Sequence, residues 1–225
     1  MNTKKIYLSH ILDEKTPTYG GRNIFRASKK SDISKGDIAN DTSIETTVHI
    51  GTHLDMPYHF FENGQTIENF NIEFFECDNV LYIDLNPEDL IIHKQLISIL
   101  EKVENKESYN LLLIKTGICH KRHEKEFYES NYGFHPDIAQ YLRINFKNIR
   151  ILGFDSISVS SFMHRALGRK AHYAFLNPDF PILILEDMDL RQLTTSSKIR
   201  KVTIAPLRIA RCDGLPCTVI AEVLR

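Results

Sequence analysis

DTSIETTVHIGTHLDMPYHF, residues 41–60, opens as a β-branched run and then meets Gly51 and Pro57, so it reads as a strand passing into irregular backbone. His49, Gly51, His53, Asp55, Pro57 and His59 fall at alternate positions. On a helix His49 and His53 would share a face, but Asp55 would lie well round the cylinder and Pro57 would break the ladder. In an extended chain alternate side chains face one way, which loads one face with imidazoles and a carboxylate. A straight strand would spread His49 to Asp55 over roughly 20 Å at about 3.3 Å per residue, too far for one ion. The chain is therefore expected to bend, with Gly51 taking the unusual backbone conformation. Imidazole nitrogens and a carboxylate suit zinc, manganese or iron, and the lack of thiolates disfavours a closed structural zinc site. A single histidine more often sits on a surface or in a satisfied core; clustering on one face is what favours a metal.

KKIYLSHIL (4–12) reads as a first strand and the Pro, Gly and Ser-rich stretch from Thr16 to Ser34 as a loop able to cover a site. NVLYIDL (79–85) is a strand, and LIIHKQLISILEKV (90–103) repeats apolar residues every three or four positions, as an amphipathic helix requires. YNLLLIKTG (109–117) and IRILGFDS (149–156) are apolar runs of buried-strand type, separated by a charged loop, 119–130, and a helical segment, 135–147. Strands return at 180–188, 201–209 and 218–224. Interspersed strands and helices without a repeat or low-complexity linker predict one α/β domain over residues 1–225 with a mixed, largely buried sheet.

The composition agrees. Hydrophobic residues make up 42% and charged residues 25%, which supports a real core. A formal net charge of -1 provides no broad positive field, so nucleic acid is not expected as a partner. No stretch reads as a signal peptide or bilayer span, so a cytoplasmic protein without membrane association is expected, its four cysteines reduced. His120 and His123 lie in the charged CHKRHEKE, which reads as a solvated face. Cys212 and Cys217 bracket the turn signal Asp213-Gly214 and read as packing residues. SISVSS lacks the G-x-S-x-G elbow of serine hydrolases, and no glycine-rich phosphate loop is present.

HIGTHLDMPYH (49–59) resembles the HxGTHxDxPxH signature of the cyclase family of metal hydrolases, which includes bacterial-type kynurenine formamidase and isatin hydrolase. IYLSHILDEKTPTYGG, GQTIENF, LLLIKTG, GFDSISV and RCDGLPCTVI extend the likeness along the chain in family order. The resemblance implies a swivelling β/β/α fold, homodimeric or homotetrameric assembly, and one or two divalent ions, zinc first and manganese second. It implies His49, His53 and Asp55 as ligands of a first ion, Asp55 bridging to a second, and His172 and Glu186 as further ligands, with Asp187 and Asp189 as neighbours able to replace Glu186. His59 matches the catalytic histidine. The implied activity is hydrolysis of small non-peptide amides, with N-formylkynurenine or a related aryl amide as the leading substrate. A lyase or cyclase on the same site, or a binding protein, are the alternatives.

Overall fold

The computed structural model describes residues 2–224. In chain order the strands begin with β1 (Thr3–Tyr7), β2 (Phe25–Ser31), β3 (Asp41–Thr46), β4 (His53–Asp55), β5 (Glu76–Cys77), β6 (Val80–Asp84) and β7 (Ile91–Ile92). Helix α1 (Lys94–Glu101), β8 (Leu111–Lys115), α2 (Lys125–Glu129), β9 (Gly133–Phe134) and α3 (Asp137–Asn145) follow. The chain continues through β10 (Ile151–Phe154), α4 (Arg165–Phe175), β11 (Leu183–Glu186), β12 (Ile199–Pro206) and β13 (Gly214–Leu224).

One sheet runs in the order β5-β12-β13-β4-β11-β10-β8-β6, with β1 added to β13. Strands β6, β8, β10 and β11 are mutually parallel, whereas β4 is antiparallel to both its neighbours, β11 and β13. This is the α/β fold with a mixed sheet that the sequence implies. The parallel strands are covered on both sides, so every residue of β8, β10 and β11 is buried, and unbroken apolar runs are the form such strands require. Helix α1 buries Leu96 and Leu100 four residues apart. Helix α3 starts behind Pro136, whose φ of -58° is already helical, and carries Asp137 in its first turn, where it complements the helix dipole. Arg143 of α3 donates to the Ala174 and Phe175 carbonyls, which a helix end leaves without internal partners, and so ties α3 to the end of α4. Among the described residues no helix is long and apolar enough to cross a membrane.

Two expectations are corrected. The stretch from Thr16 to Ser34 is not all loop, because β2 lies within it and pairs antiparallel with β3. FRASKKS has no apolar alternation since the ribbon is largely exposed, and its backbone pairing leaves no hydrophobic trace. The charged segment around His120 and His123 does expose both histidines, but Arg122 between them is buried. Its guanidinium forms a bidentate pair with the buried Asp187 at 2.9 and 2.6 Å.

Breaking a buried pair strands one charge, so Arg122→Met should lower stability by about 3–5 kcal/mol in urea unfolding, and Arg122→Met with Asp187→Leu should recover most of it. A double variant whose loss equals the sum of the two single losses would show that the pair's partners act independently.

Candidate metal centre

The central position of β4 gathers the site. Antiparallel pairing sets Glu186 of β11 opposite His53, and Gly214 of β13 opposite Asp55. Directly opposed residues share a face, and so do His53 and Asp55, two residues apart. His49 reaches the same place because the backbone turns at Gly51, whose φ is +59° and where a β-carbon would overlap the Leu12 side chain. The Asn23 amide donates to the His49 carbonyl and pins this turn. Gly214 presents no side chain, and a β-carbon there would strike the His49 ring. From the opposite side α4 brings His172, packing Gly168 so closely on Ser160 that no larger residue fits.

The donor atoms converge. His53 Nε2 lies 3.4 Å from Asp55 Oδ1 and 3.5 Å from Glu186 Oε2. His172 Nε2 lies 3.4 Å from Asp55 Oδ2 and 3.9 Å from Glu186 Oε1. His53 Nδ1 donates to the Gly51 carbonyl at 2.7 Å and His172 Nδ1 to the Gly168 carbonyl at 3.0 Å, which turns both Nε2 atoms inward. That is how metal-binding imidazoles are usually oriented. Glu186 Oε1 accepts from the Val159 N–H at 2.7 Å and from Ser158 Oγ at 3.2 Å. Buried His53 Nε2 and Asp55 Oδ2 have no hydrogen-bond partner, the arrangement a cation would complete.

Charge explains the rest. Burial opposes ionisation of Asp55, yet the charge and hydrogen bond of His49 and the close approach of His172 and His53 hold its carboxyl well below the usual range. Burial and the Asp55 charge push Glu186 up to about 7. Burial works against protonating His49, but Asp55 and Asp213 outweigh it and hold the imidazole at about 10. His53 and His172 are raised too, burial again being overcome by Asp55. Four carboxylate oxygens and inward nitrogens on buried side chains match the donor chemistry of zinc or manganese.

All six residues singled out from the sequence meet here, His59 included. Its Nδ1 lies 3.2 Å from Asp213 Oδ2 and its ring 4.0 Å from that of His49. Asp187 and Asp189, the alternatives to Glu186, point elsewhere: Asp187 holds Arg122 and Asp189 holds Arg191 at 2.7 Å. Sequence reasoning missed Asp213, whose Oδ2 also meets His49 Nε2 at 2.8 Å while His49 Nδ1 meets Asp55 Oδ1 at 2.8 Å. Both His49 nitrogens are thus engaged by carboxylates. The dipeptide Asp213-Gly214 carries a turn signal that hides this role, although Gly214 is the residue that admits the His49 ring. A cavity of about 480 Å³ opens above the cluster, walled by Tyr19, Phe60 and Phe162, so the Thr16–Ser34 stretch does border the site.

The fold and the donor cluster define a mixed-sheet α/β protein built around a candidate divalent-metal centre. The chain belongs to the putative cyclase family, whose model matches residues 6–161. It is 26% identical over 211 residues to a kynurenine formamidase of Bacillus cereus, covering 94% of this chain and 93% of the relative. It is also 26% identical over 219 residues to cyclase-like protein 2 of Oryza sativa subsp. japonica, covering 93% and 75% respectively. The structure of isatin hydrolase A from Labrenzia aggregata superposes with a TM-score of 0.82 at 23% identity, over 99% of this chain and 94% of that one.

Ligands must be deprotonated to bind a cation, so zinc added to metal-free protein at pH 7 should displace at least one proton, that held by His49. Apparent zinc affinity should then rise with pH, about tenfold per unit per proton released. Calorimetry in buffers of different ionisation enthalpy measures this, and zero net release would remove His49 from the site. His53→Ala and Asp55→Ala should each lose the ion while His120→Ala and His123→Ala retain it, as metal analysis would show.

Proposed function

We propose that the chain is a metal-dependent hydrolase of small carbon–nitrogen amides, and that its substrate is an aryl formamide of the N-formylkynurenine type. The observation carrying this reading is the unpartnered pair His53 Nε2 and Asp55 Oδ2, buried within reach of His172 and Glu186 beneath an open cavity. Family membership and the formamidase and isatin hydrolase relatives support the same kind of chemistry.

The ligand set is His49, His53, Asp55, His172 and Glu186, with zinc or manganese as the ion. A divalent ion there supplies Lewis acidity toward a carbonyl and makes hydroxide accessible from water at neutral pH. The remaining work falls to the protein. Asp213 Oδ2 accepts from His59 Nδ1, which fixes the tautomer and leaves Nε2 as the nitrogen able to carry a proton between water and the leaving amine. Phe60 stacks on His172 at 4.6 Å, holding that ring and excluding water from one side of it. Val159 N–H and Ser158 Oγ fix Glu186 in a single orientation.

His59 also belongs to a donor set with Asp55 and His172, so its role needs a measurement that separates binding from turnover. If it carries the proton, His59→Ala should keep the metal while kcat falls about 10²-fold or more. Loss of metal in proportion to activity would make it a ligand, and near-normal turnover would remove it from the mechanism. Turnover in oxygen-18 water should label the released acid; an unlabelled product would point to a lyase or cyclase instead.

A further inference from the structure

We infer that the substrate is an anion: an aryl amide bearing a carboxylate, which Arg22, Arg165 and Arg169 receive at the cavity mouth while the amide lies on its floor. This rests on the hydrolase reading for the amide, and on the placement of charge for the carboxylate.

The cavity lining separates charge by depth. Its acidic residues, Asp55 and Glu186, are buried at the floor, whereas its charged rim consists of three exposed arginines, Arg22, Arg165 and Arg169. Among the described residues the arginine ion pairs are those of Arg26, Arg122, Arg191 and Arg200. The three rim guanidiniums therefore carry uncompensated positive charge around one opening, in a chain whose formal net charge is -1. Such a rim raises the local concentration of an anion and lowers that of a cation.

Two of the arginines are placed by the helix that supplies His172. Arg165, Arg169 and His172 are spaced by four and three residues on α4, which sets them on one face. Arg165 is also oriented, its guanidinium lying 3.8 Å over the Phe162 ring, which in turn meets Tyr19 edge-on at 5.6 Å. A guanidinium held against an aromatic ring by cation–π contact still has N–H groups to offer a carboxylate. At about 1.5 Å of rise per residue, Arg169 and Arg165 stand roughly 4.5 and 10.5 Å along the helix from His172. That interval accommodates one aromatic ring between a scissile amide and a carboxylate. Phe60, Tyr19 and Phe162 wall it, and 480 Å³ is a volume suited to a small ligand. N-formylkynurenine, with its amino-acid carboxylate, falls within this class, as do simpler formamidobenzoates.

The test compares para-formamidobenzoate with its uncharged isostere para-formamidobenzamide on the zinc-loaded enzyme. Wild type should prefer the benzoate in kcat/KM by at least about tenfold, the scale of one charge-assisted contact, and the preference should reside in KM. Arg165→Gln with Arg169→Gln should remove most of that preference, and lysine at both positions should restore part of it. Added sodium chloride should raise KM for the benzoate on wild type and leave that for the benzamide in place. Equal kcat/KM for the two amides, or a preference unchanged in the double variant, overturns the inference and leaves the hydrolase reading standing. If neither amide is turned over, the hydrolase reading fails and calorimetry decides the inference alone. Para-aminobenzoate should then bind zinc-loaded wild type at least about tenfold more tightly than para-aminobenzamide, with the gap lost in the double variant. No gap overturns it.

Discussion

A carboxylate buried as completely as Asp55 is costly unless its charge is answered, and the structure around it consists largely of that answer. His49, His53 and His172 all turn nitrogens toward it, from the bend before β4, from β4 itself and from α4. Glu186 adds a second buried negative charge at the same place and is itself pushed toward protonation. Protons balance this cluster by sitting on the imidazoles and on Glu186, the same groups a cation needs free, so proton and metal compete for one set of atoms. The site is therefore a charge balance before it is a catalyst.

That balance depends on backbone the side chains do not determine. The antiparallel seating of β4 between two strands brings Glu186 and Asp213-Gly214 within reach of His53 and Asp55, although they are more than a hundred residues away in the chain. Glycine supplies the close approaches: Gly51 turns left-handed to swing His49 inward, Gly214 yields to its ring, and Gly168 lets α4 lie against Ser160. None of the three contributes a donor atom, yet each sets the position of one that does.

What the sequence made legible follows from range. The buried parallel strands were visible because burial on both faces demands continuous apolar residues, as in LLLI and ILGF. The bend at Gly51 was legible too, since ligands at alternate positions could not otherwise meet. Strand β2 was not, because an exposed ribbon held by backbone hydrogen bonds imposes no apolar pattern on FRASKKS. Asp213 was missed for a related reason: its partners His49 and His59 lie in a segment at the other end of the chain, and locally it is only the first half of a turn. Arg122 looked like part of a solvated run because nothing in CHKRHEKE reveals that Asp187 waits beneath it.

Helix α4 spans Arg165–Phe175 and reaches both levels of the cavity. Only Gly168, Ala171, His172 and Phe175 are buried, so one narrow stripe holds it to the core while the charged remainder faces the cavity and solvent. The same rigid rod thus presents His172 to the floor and two arginines to the rim, which couples the distance between them to helical geometry instead of loop conformation. A change of residue at 165 or 169 alters what the rim attracts without disturbing the packed stripe beneath. Floor and rim can therefore diverge separately: the donors are constrained by a buried charge balance in which each group answers another, whereas the rim is constrained only by the ligand it meets.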